Sequence, residues 1–394
     1  MAGTGELFKG SEGKWSFRVK ASNGTVVAVD DGPGYTSKSE ARSILQKLLK
    51  GDYDGPIREP AAVSCGQEIT ANTTLDGDLL CNGGPALIVT KDNVVLDLGG
   101  FTITGKGSTA GAPGILLRNV KGVTVRKGTI KGFGAGVAIA GGAKNVIENL
   151  TVQDNIGSTE GDFGDGITVN ASNGNIIRGN TVRRNGPFAG ISLVGACTKN
   201  EIRDNTISDN NMLPGEPSRG RQDMGIRLEG PGANNNKIVG NTVTGSGAEG
   251  ICILPTCTDP QAGCAGTPGN ESNEISENLS HKNGTSGQGS GIRLFAVPQP
   301  VAASKTTITG NVTNDNVTFG IAIDAAGTAN PGPPKNKVTG NSGKGNGQFD
   351  GYDGNTPGCG SNTWKDNDFG SVNQPCVGAP NPSALTDNLT LGRT

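Results

Sequence analysis

Histidine is nearly missing from this chain. His281 is the only one among 394 residues, beside three methionines, two tryptophans and three tyrosines. So few aromatic and methionine side chains disfavour a helical bundle. The formal net charge is −2, and there is no run of Lys or Arg. A nucleic-acid or anionic-membrane partner is therefore not expected. No apolar stretch is long enough to span a bilayer. A Cys/His metal site is disfavoured too: the eight cysteines include no Cys-X-X-Cys spacing, and His281 sits elsewhere in the repeat.

What is abundant is glycine, with 66 residues, and an asparagine phrase that recurs almost to the C-terminus. Its copies include Asn145-Val-Ile-Glu-Asn149, Asn175-Ile-Ile-Arg-Gly-Asn180, Asn200-Glu-Ile-Arg-Asp-Asn205, Asn236-Lys-Ile-Val-Gly-Asn241, Asn273-Glu-Ile-Ser-Glu-Asn278, Asn336-Lys-Val-Thr-Gly-Asn341 and Asn362-Thr-Trp-Lys-Asp-Asn367. Between them lies a glycine followed by alternating apolar residues, at Gly166, Gly190, Gly225, Gly250, Gly291 and Gly320, with weaker copies at Gly114, Gly136 and Gly351. The two markers give a period of roughly 20–40 residues, that of a stacked solenoid. A coil this short cannot bury its own apolar face. Parallel stacking pairs its backbone and joins the Ile, Val and Leu residues into one core. Asparagine and glycine are expected in left-handed conformations at the corners. The asparagines then read as scaffold, and Asn-X-Ser/Thr matches such as Asn149 and Asn311 as ladder positions rather than glycosylation sites.

The first 50 residues stand outside the repeat. Trp15, Phe17 and Val19 alternate with polar residues, Asn23-Gly24 supplies a hairpin turn, and Val26 to Val29 return as a strand. A helix follows, capped by Ser37 with Glu40 and carrying the stripe Ala41, Ile44, Leu45, Leu48 and Leu49. Residues 51–62 read as a Gly/Pro linker, 63–377 as the solenoid and 378–394 as a loose Pro/Asn-rich tail. Cys65 with Cys81, Cys257 with Cys264 and Cys359 with Cys376 form plausible local disulfides, leaving Cys197 and Cys252. Such staples suggest an extracellular, oxidising compartment, although residues 1–14 lack the pattern of a secretory signal.

Two resemblances follow. Gly13-Lys-Trp-Ser-Phe-Arg-Val-Lys-Ala-Ser-Asn-Gly-Thr-Val-Val-Ala, with Gly34-Tyr-Thr-Ser-Lys-Ser-Glu-Ala, resembles the small YegP-like domain of unknown function, a module expected to pack, dimerise or tether. Asn93-Val-Val-Leu-Asp-Leu-Gly-Gly-Phe-Thr-Ile and the repeats to about Val377 resemble NosD-like β-helix proteins. The implied fold is an all-β, right-handed parallel β-helix preceded by a small α+β domain. The latter family spans lyases, epimerases, hydrolases and non-catalytic binders, so it implies no single activity.

Aligning coils on the glycine marker turns the sequence into columns about 4.8 Å apart. The residue after each marker isoleucine points outward, giving Leu116, Ala138, Thr168, Ser192, Arg227, Cys252, Arg293, Ala322 and Asp353. Asn170, Glu229, Phe295 and Asp324 face the same way. Just before the marker lie Asp162 and Asp165, Asp223 and Glu249, with Arg219 and Arg221 beside Asp223. Long insertions at 156–164, 211–222, 254–269, 296–304 and 325–334 would wall this face into a groove.

Carboxylates, arginines and nearby phenylalanines in such a groove suit a polysaccharide or oligosaccharide. In the favoured reading, a lyase or C5-epimerase, Arg227 and Arg293 neutralise a uronate. A calcium ion on Asp162, Asp165, Asp223 or Glu249 acidifies it, and no organic cofactor is needed. The base is unassigned: no tyrosine or lysine falls in the outward column. Hydrolysis instead uses Asp165, Asp223 and Glu249 as acid and base or nucleophile. Phe163, Phe188, Arg221, Glu229, Phe295 and Phe319 are the candidate sugar contacts. A third reading is a non-catalytic binding, adhesive or structural rod.

Overall fold

The structure is a computed structural model. It describes residues 4–9, 14–21, 23–30, 34–50, 63–107, 111–157, 164–210, 223–256, 269–296, 303–325, 335–356 and 358–378. The chain divides into two units, 1–61 and 62–394.

In the first unit, strands β1 (Thr4–Lys9), β2 (Trp15–Lys20) and β3 (Val26–Val29) form an antiparallel sheet in that order, followed by helix α1 (Lys38–Lys50). β1 adds a strand to the hairpin that the sequence reading provided. The helix starts where expected, because the Glu40 amide donates to Ser37 Oγ at 3.1 Å. Ala41 and Leu45 are buried with Phe17, whereas Leu48 and Leu49 stay exposed. Gly5 lets the helix close on β1: a methyl group there would fall 2.8 Å from side-chain carbons of Leu45 and Leu49.

The second unit is a parallel β-helix of eleven coils among the described residues. One eleven-stranded ladder runs from Gln67–Ile69 to Phe349–Asp353, adding strands in chain order, and the remaining strands pair parallel along the other sides. The register pairs Ile167 with Ile191, Ile226 with Ile251 and Ile292 with Ile321, so the isoleucine of each marker faces the core. All of these are fully buried. Two disulfides, Cys65–Cys81 and Cys359–Cys376, close loops in the first and last coils. Each contributes about 3 kcal/mol on a chain-entropy model. Cys257 and Cys264 lie outside the described residues, as do the 51–62 linker and residues 379–394 of the tail. Cys197 and Cys252 are free and buried.

Three rows of buried asparagines run along the corners. In one, the Asn180 amide and Nδ2 donate to Asn205 Oδ1 at 3.0 and 2.9 Å, Asn205 does the same to Asn241, and the row continues through Asn278, Asn311, Asn341 and Asn367. Each Nδ2 also donates to a main-chain carbonyl, as Asn205 does to Ile177 O at 2.9 Å. The amide thus satisfies backbone groups that the corner takes out of the sheet.

Glycine is left-handed at the corners as expected, at Gly179 (φ 62), Gly240 (φ 65), Gly310 (φ 65) and Gly340 (φ 66), but the ladder asparagines are not: the left-handed residue is the one before them, which elsewhere is Asp204 (φ 55), Asp209 (φ 54), Lys199 (φ 57) or Arg184 (φ 51). The ladder amide needs an ordinary backbone to reach the next coil. Asn149 belongs to this left-handed class (φ 52) and is exposed, with Leu150 in the ladder row. Asn311 does occupy a ladder position. The marker glycines answer to space: a methyl at Gly166 would sit 2.6 Å from Val182 Cγ1, and one at Gly190 2.7 Å from Asn210 Nδ2. No helix among the described residues is long and apolar enough to cross a membrane.

Replacing Asn205 by Ala strands several buried backbone groups and is expected to cost at least about 2 kcal/mol. Asn149→Gly, at an exposed corner, stays within about 0.5 kcal/mol of the parent. Denaturant unfolding of both variants checks the contrast.

Candidate functional site

The outward face of the eleven-stranded ladder carries Arg227 and Arg293 with carboxyls against both. Arg227 aligns with Ser192 on one side and Cys252 on the other, Cys252 with Arg293, and Arg293 with Ala322. Small residues thus alternate with the two arginines, and each guanidinium lies over a neighbour too short to obstruct it. Residues 165, 189, 224 and 249 form a second row, since Ile167 pairs with Ile191, Ala189 with Met224 and Ile226 with Ile251.

Arg227 is 3 % exposed. Its Nη2 reaches past Ser192 to 3.7 Å from Asp165 Oδ1, and its Nη1 lies 3.1 Å from Glu229 Oε2. The guanidinium carbon stands 5.5 Å from the centre of the Phe188 ring. Two coils on, the arrangement recurs. Arg293 Nη1 lies 3.1 Å from Glu249 Oε1, and Nε and Nη2 donate to the two oxygens of Asp324 at 3.0 and 3.1 Å, with Phe295 4.3 Å beneath. Ala189, Met224 and Cys252 form an apolar floor between the clusters, with Ala248 and Phe295 against it.

Burial governs the acidities. It raises the carboxyl pKa of Asp165, which Arg227 and the Ser192 hydroxyl only partly offset. Burial likewise raises Glu249, against the opposing charge of Arg293. The Cys252 thiol is pushed well up by desolvation and by the neighbouring Glu249 charge, so it is a poor nucleophile.

The structure thus brings Asp165, Arg227 and Glu229 together, and Glu249 with Arg293. Asp223 is fully buried but stands one residue out of row: it lies beside Ala248, whose amide donates to its carbonyl at 2.9 Å, while Met224 takes the place next to Glu249. A methyl on Gly247 would fall 2.7 Å from Asp223 Oδ2, which puts that carboxyl at the corner. Phe188 and Phe295 each offer a face to an arginine, and Phe319 stacks on Tyr352 at 4.4 Å, so all three are partly engaged within the protein. Asp162, Phe163, Arg219 and Arg221 lie outside the described residues, as does most of the expected groove wall. Among the described residues no group of three or more His, Cys, Asp or Glu side chains is placed to hold a metal ion.

One column assignment is corrected. Ala322 pairs with Tyr352, not Asp353, because Gly351 takes the core position opposite Ile321 and Asp350 stands at the marker. Asp353 points into the core, where it accepts hydrogen bonds from Asn355, Asn362 and Trp364. A tyrosine therefore does stand in the outward column. Asp324, an outward residue without an assigned role in the sequence reading, proves to be the second carboxylate on Arg293.

The stacked coils define the class, a parallel β-helix, and the comparisons agree on that fold. Residues 86–263 match the family model for a right handed beta helix region, and residues 11–48 that for a domain of unknown function, DUF1508. Across 59 residues, 15% of this chain and 98% of the relative, the N-terminal part is 39% identical to a UPF0339 protein of Treponema denticola. Through that unit the chain belongs to the UPF0339 family. Two solved structures share the β-helix fold at low identity. The A-module of the Azotobacter vinelandii mannuronan C-5 epimerase AlgE4 has a TM-score of 0.52 at 12% identity, over 77% of this chain and 84% of that one. The DFA-IIIase of Arthrobacter chlorophenolicus A6 without its lid has a TM-score of 0.50 at 11% identity, over 82% and 90%.

The raised carboxyls predict a stability slope. Between the unfolded and folded pKa the folded state holds more protons, so their contribution falls as pH rises through the range just above ordinary carboxylates. Combining Asp165→Asn with Glu249→Gln removes that part of the decline; unfolding midpoints of parent and variant, subtracted pH by pH, report it.

Proposed function

We propose that the β-helix unit hydrolyses a neutral glycan lying along this face, with Glu249 as general acid and Asp324 as the carboxylate opposite it. The observation carrying this reading is the pair of carboxyls on one guanidinium. Glu249 is buried and retains its proton to higher pH than an ordinary glutamate, as a proton donor to a leaving oxygen must. Asp324 is only half-buried, at the rim. Contacts of 3.1 and 3.0 Å to the same Arg293 keep the carboxyls no farther apart than the roughly 9.5 Å limit of hydrolase pairs. Arg293 positions both. Among the described residues four carboxyls, Asp165, Glu229, Glu249 and Asp324, lie against two arginines, Arg227 and Arg293, a balance that favours a neutral chain. A bare polyanion would meet repulsion here.

A second reading rests on the same excess of carboxylates. A calcium ion on Asp162, Asp165, Asp223 or Glu249 would invert the local charge and admit a uronate polymer, for lyase or C5-epimerase chemistry. Tyr352, in the column beyond Arg293, would then stand as a candidate base. The shared fold with a mannuronan C-5 epimerase is compatible with this reading. The disulfides suit an extracellular site of action under either reading.

The protein incubated with neutral and uronate-containing polysaccharides, with and without chelator, is expected to release reducing ends from a neutral polymer without chelator sensitivity. Glu249→Gln and Asp324→Asn should each lower that rate by about 10²–10⁴-fold. Calcium-dependent formation of an unsaturated uronate, or inversion at C5 of the polymer, would instead establish the second reading.

A further inference from the structure

Past Arg293 the outward face of the ladder turns aromatic. The column of Arg227, Cys252 and Arg293 continues through Ala322 to Tyr352. The row beside it runs from Glu249 through Ser290 to Phe319 and Phe349: the Gly250 amide donates to Ser290 O at 2.8 Å and the Gly291 amide to Phe319 O at 2.9 Å, and Phe319 pairs with Phe349. Tyr352 stacks on both phenylalanines. Its ring centre lies 4.4 Å from that of Phe319, with the planes 19° apart, and 6.4 Å from that of Phe349, at 26°.

The core has no use for these rings. Phe369 and Val377 fill the space inside Gly351, each 2.7 Å from where an added methyl would stand, and Asp350 and Asp353 turn inward to hydrogen-bond Asn346 and Trp364. Phe349 and Tyr352 stay half-buried on the outer side. Apolar surface left open at the end of a polar site marks a binding groove. Ala322 and Tyr352 in one row, and Phe319 and Phe349 in the other, carry no charge, so this end of the face suits an uncharged ring.

We propose that Tyr352, backed by Phe319 and Phe349, is a platform on which an uncharged pyranose of the glycan stacks by its C–H face; the assignment rests on the hydrolase reading above. The negative face of an aromatic ring attracts such positively polarised C–H bonds. Tyr352 stands two coils from Arg293, roughly 10 Å along the ladder. One pyranose ring does not span that gap from a bond held at Glu249 and Asp324. The stacked ring is therefore a neighbour of the sugars flanking the cleaved bond, and the substrate is a chain of at least three linked pyranoses whose equatorial hydroxyls leave an apolar face.

The full chain carrying Glu249→Gln, titrated calorimetrically with β-1,4-linked gluco-, xylo- and manno-oligosaccharides from disaccharide to octasaccharide, tests this. Affinity for one series is expected to step up once the chain is long enough to reach Tyr352. Adding Tyr352→Leu, which keeps apolar volume but no ring, should remove the step, a loss of about 3- to 10-fold on the longer chains. Tyr352→Phe should keep it, and unfolding midpoints check that both variants fold. A step that survives Tyr352→Leu, a step that Tyr352→Phe also abolishes, or no binding by any series overturns the platform. A step removed by Tyr352→Leu alone supports it even where the parent chain releases no reducing ends, an outcome that refutes the hydrolase reading instead.

Discussion

The β-helix depends on one interaction, the buried asparagine amide that accepts from the coil before it and donates to the coil after it. Corners are where a parallel solenoid loses its ladder hydrogen bonds, and an unpaired buried backbone group costs about 1–3 kcal/mol. With three rows of amides closing those corners, each coil is locked in register with the next. The fixed register makes columns, and only because there are columns can residues many positions apart in sequence form a site.

The site is a use of those columns. Arg227 and Arg293 can extend across neighbouring coils because Ser192, Cys252 and Ala322 are small where they stack. Each arginine is laid over a phenylalanine and gripped by carboxyls from two other rows. The same enclosure that holds Asp165 and Glu249 raises their pKa, so these carboxyls keep their protons to higher pH than surface carboxyls do. The cluster repeats two coils apart, Arg227 with Asp165 and Glu229, then Arg293 with Glu249 and Asp324.

The fold was legible because its signals are periodic: every coil repeats the marker glycine and the ladder asparagine, and errors in one copy are outvoted by the others. Where the pattern lapses, the reading slipped. At the last coil Gly351 imitates a marker but occupies the core row, which hid Tyr352 and misplaced Asp353 by one residue. Asn149 imitates a ladder asparagine, yet its side chain serves a left-handed corner while Leu150 takes the buried row. Asp324 was visible as an outward residue, but nothing in the sequence joins it to Arg293, 31 positions earlier.

By itself, then, the sequence determined the solenoid, its inward isoleucines and the separate N-terminal module, since each is a matter of periodicity or composition along the chain. Only the tertiary structure decided which carboxyl meets which arginine, that Asp223 stands one residue out of Glu249's row, and which carboxyls burial makes weaker acids. Those outcomes turn on single-residue register and on burial between coils, and neither leaves a periodic trace in the chain.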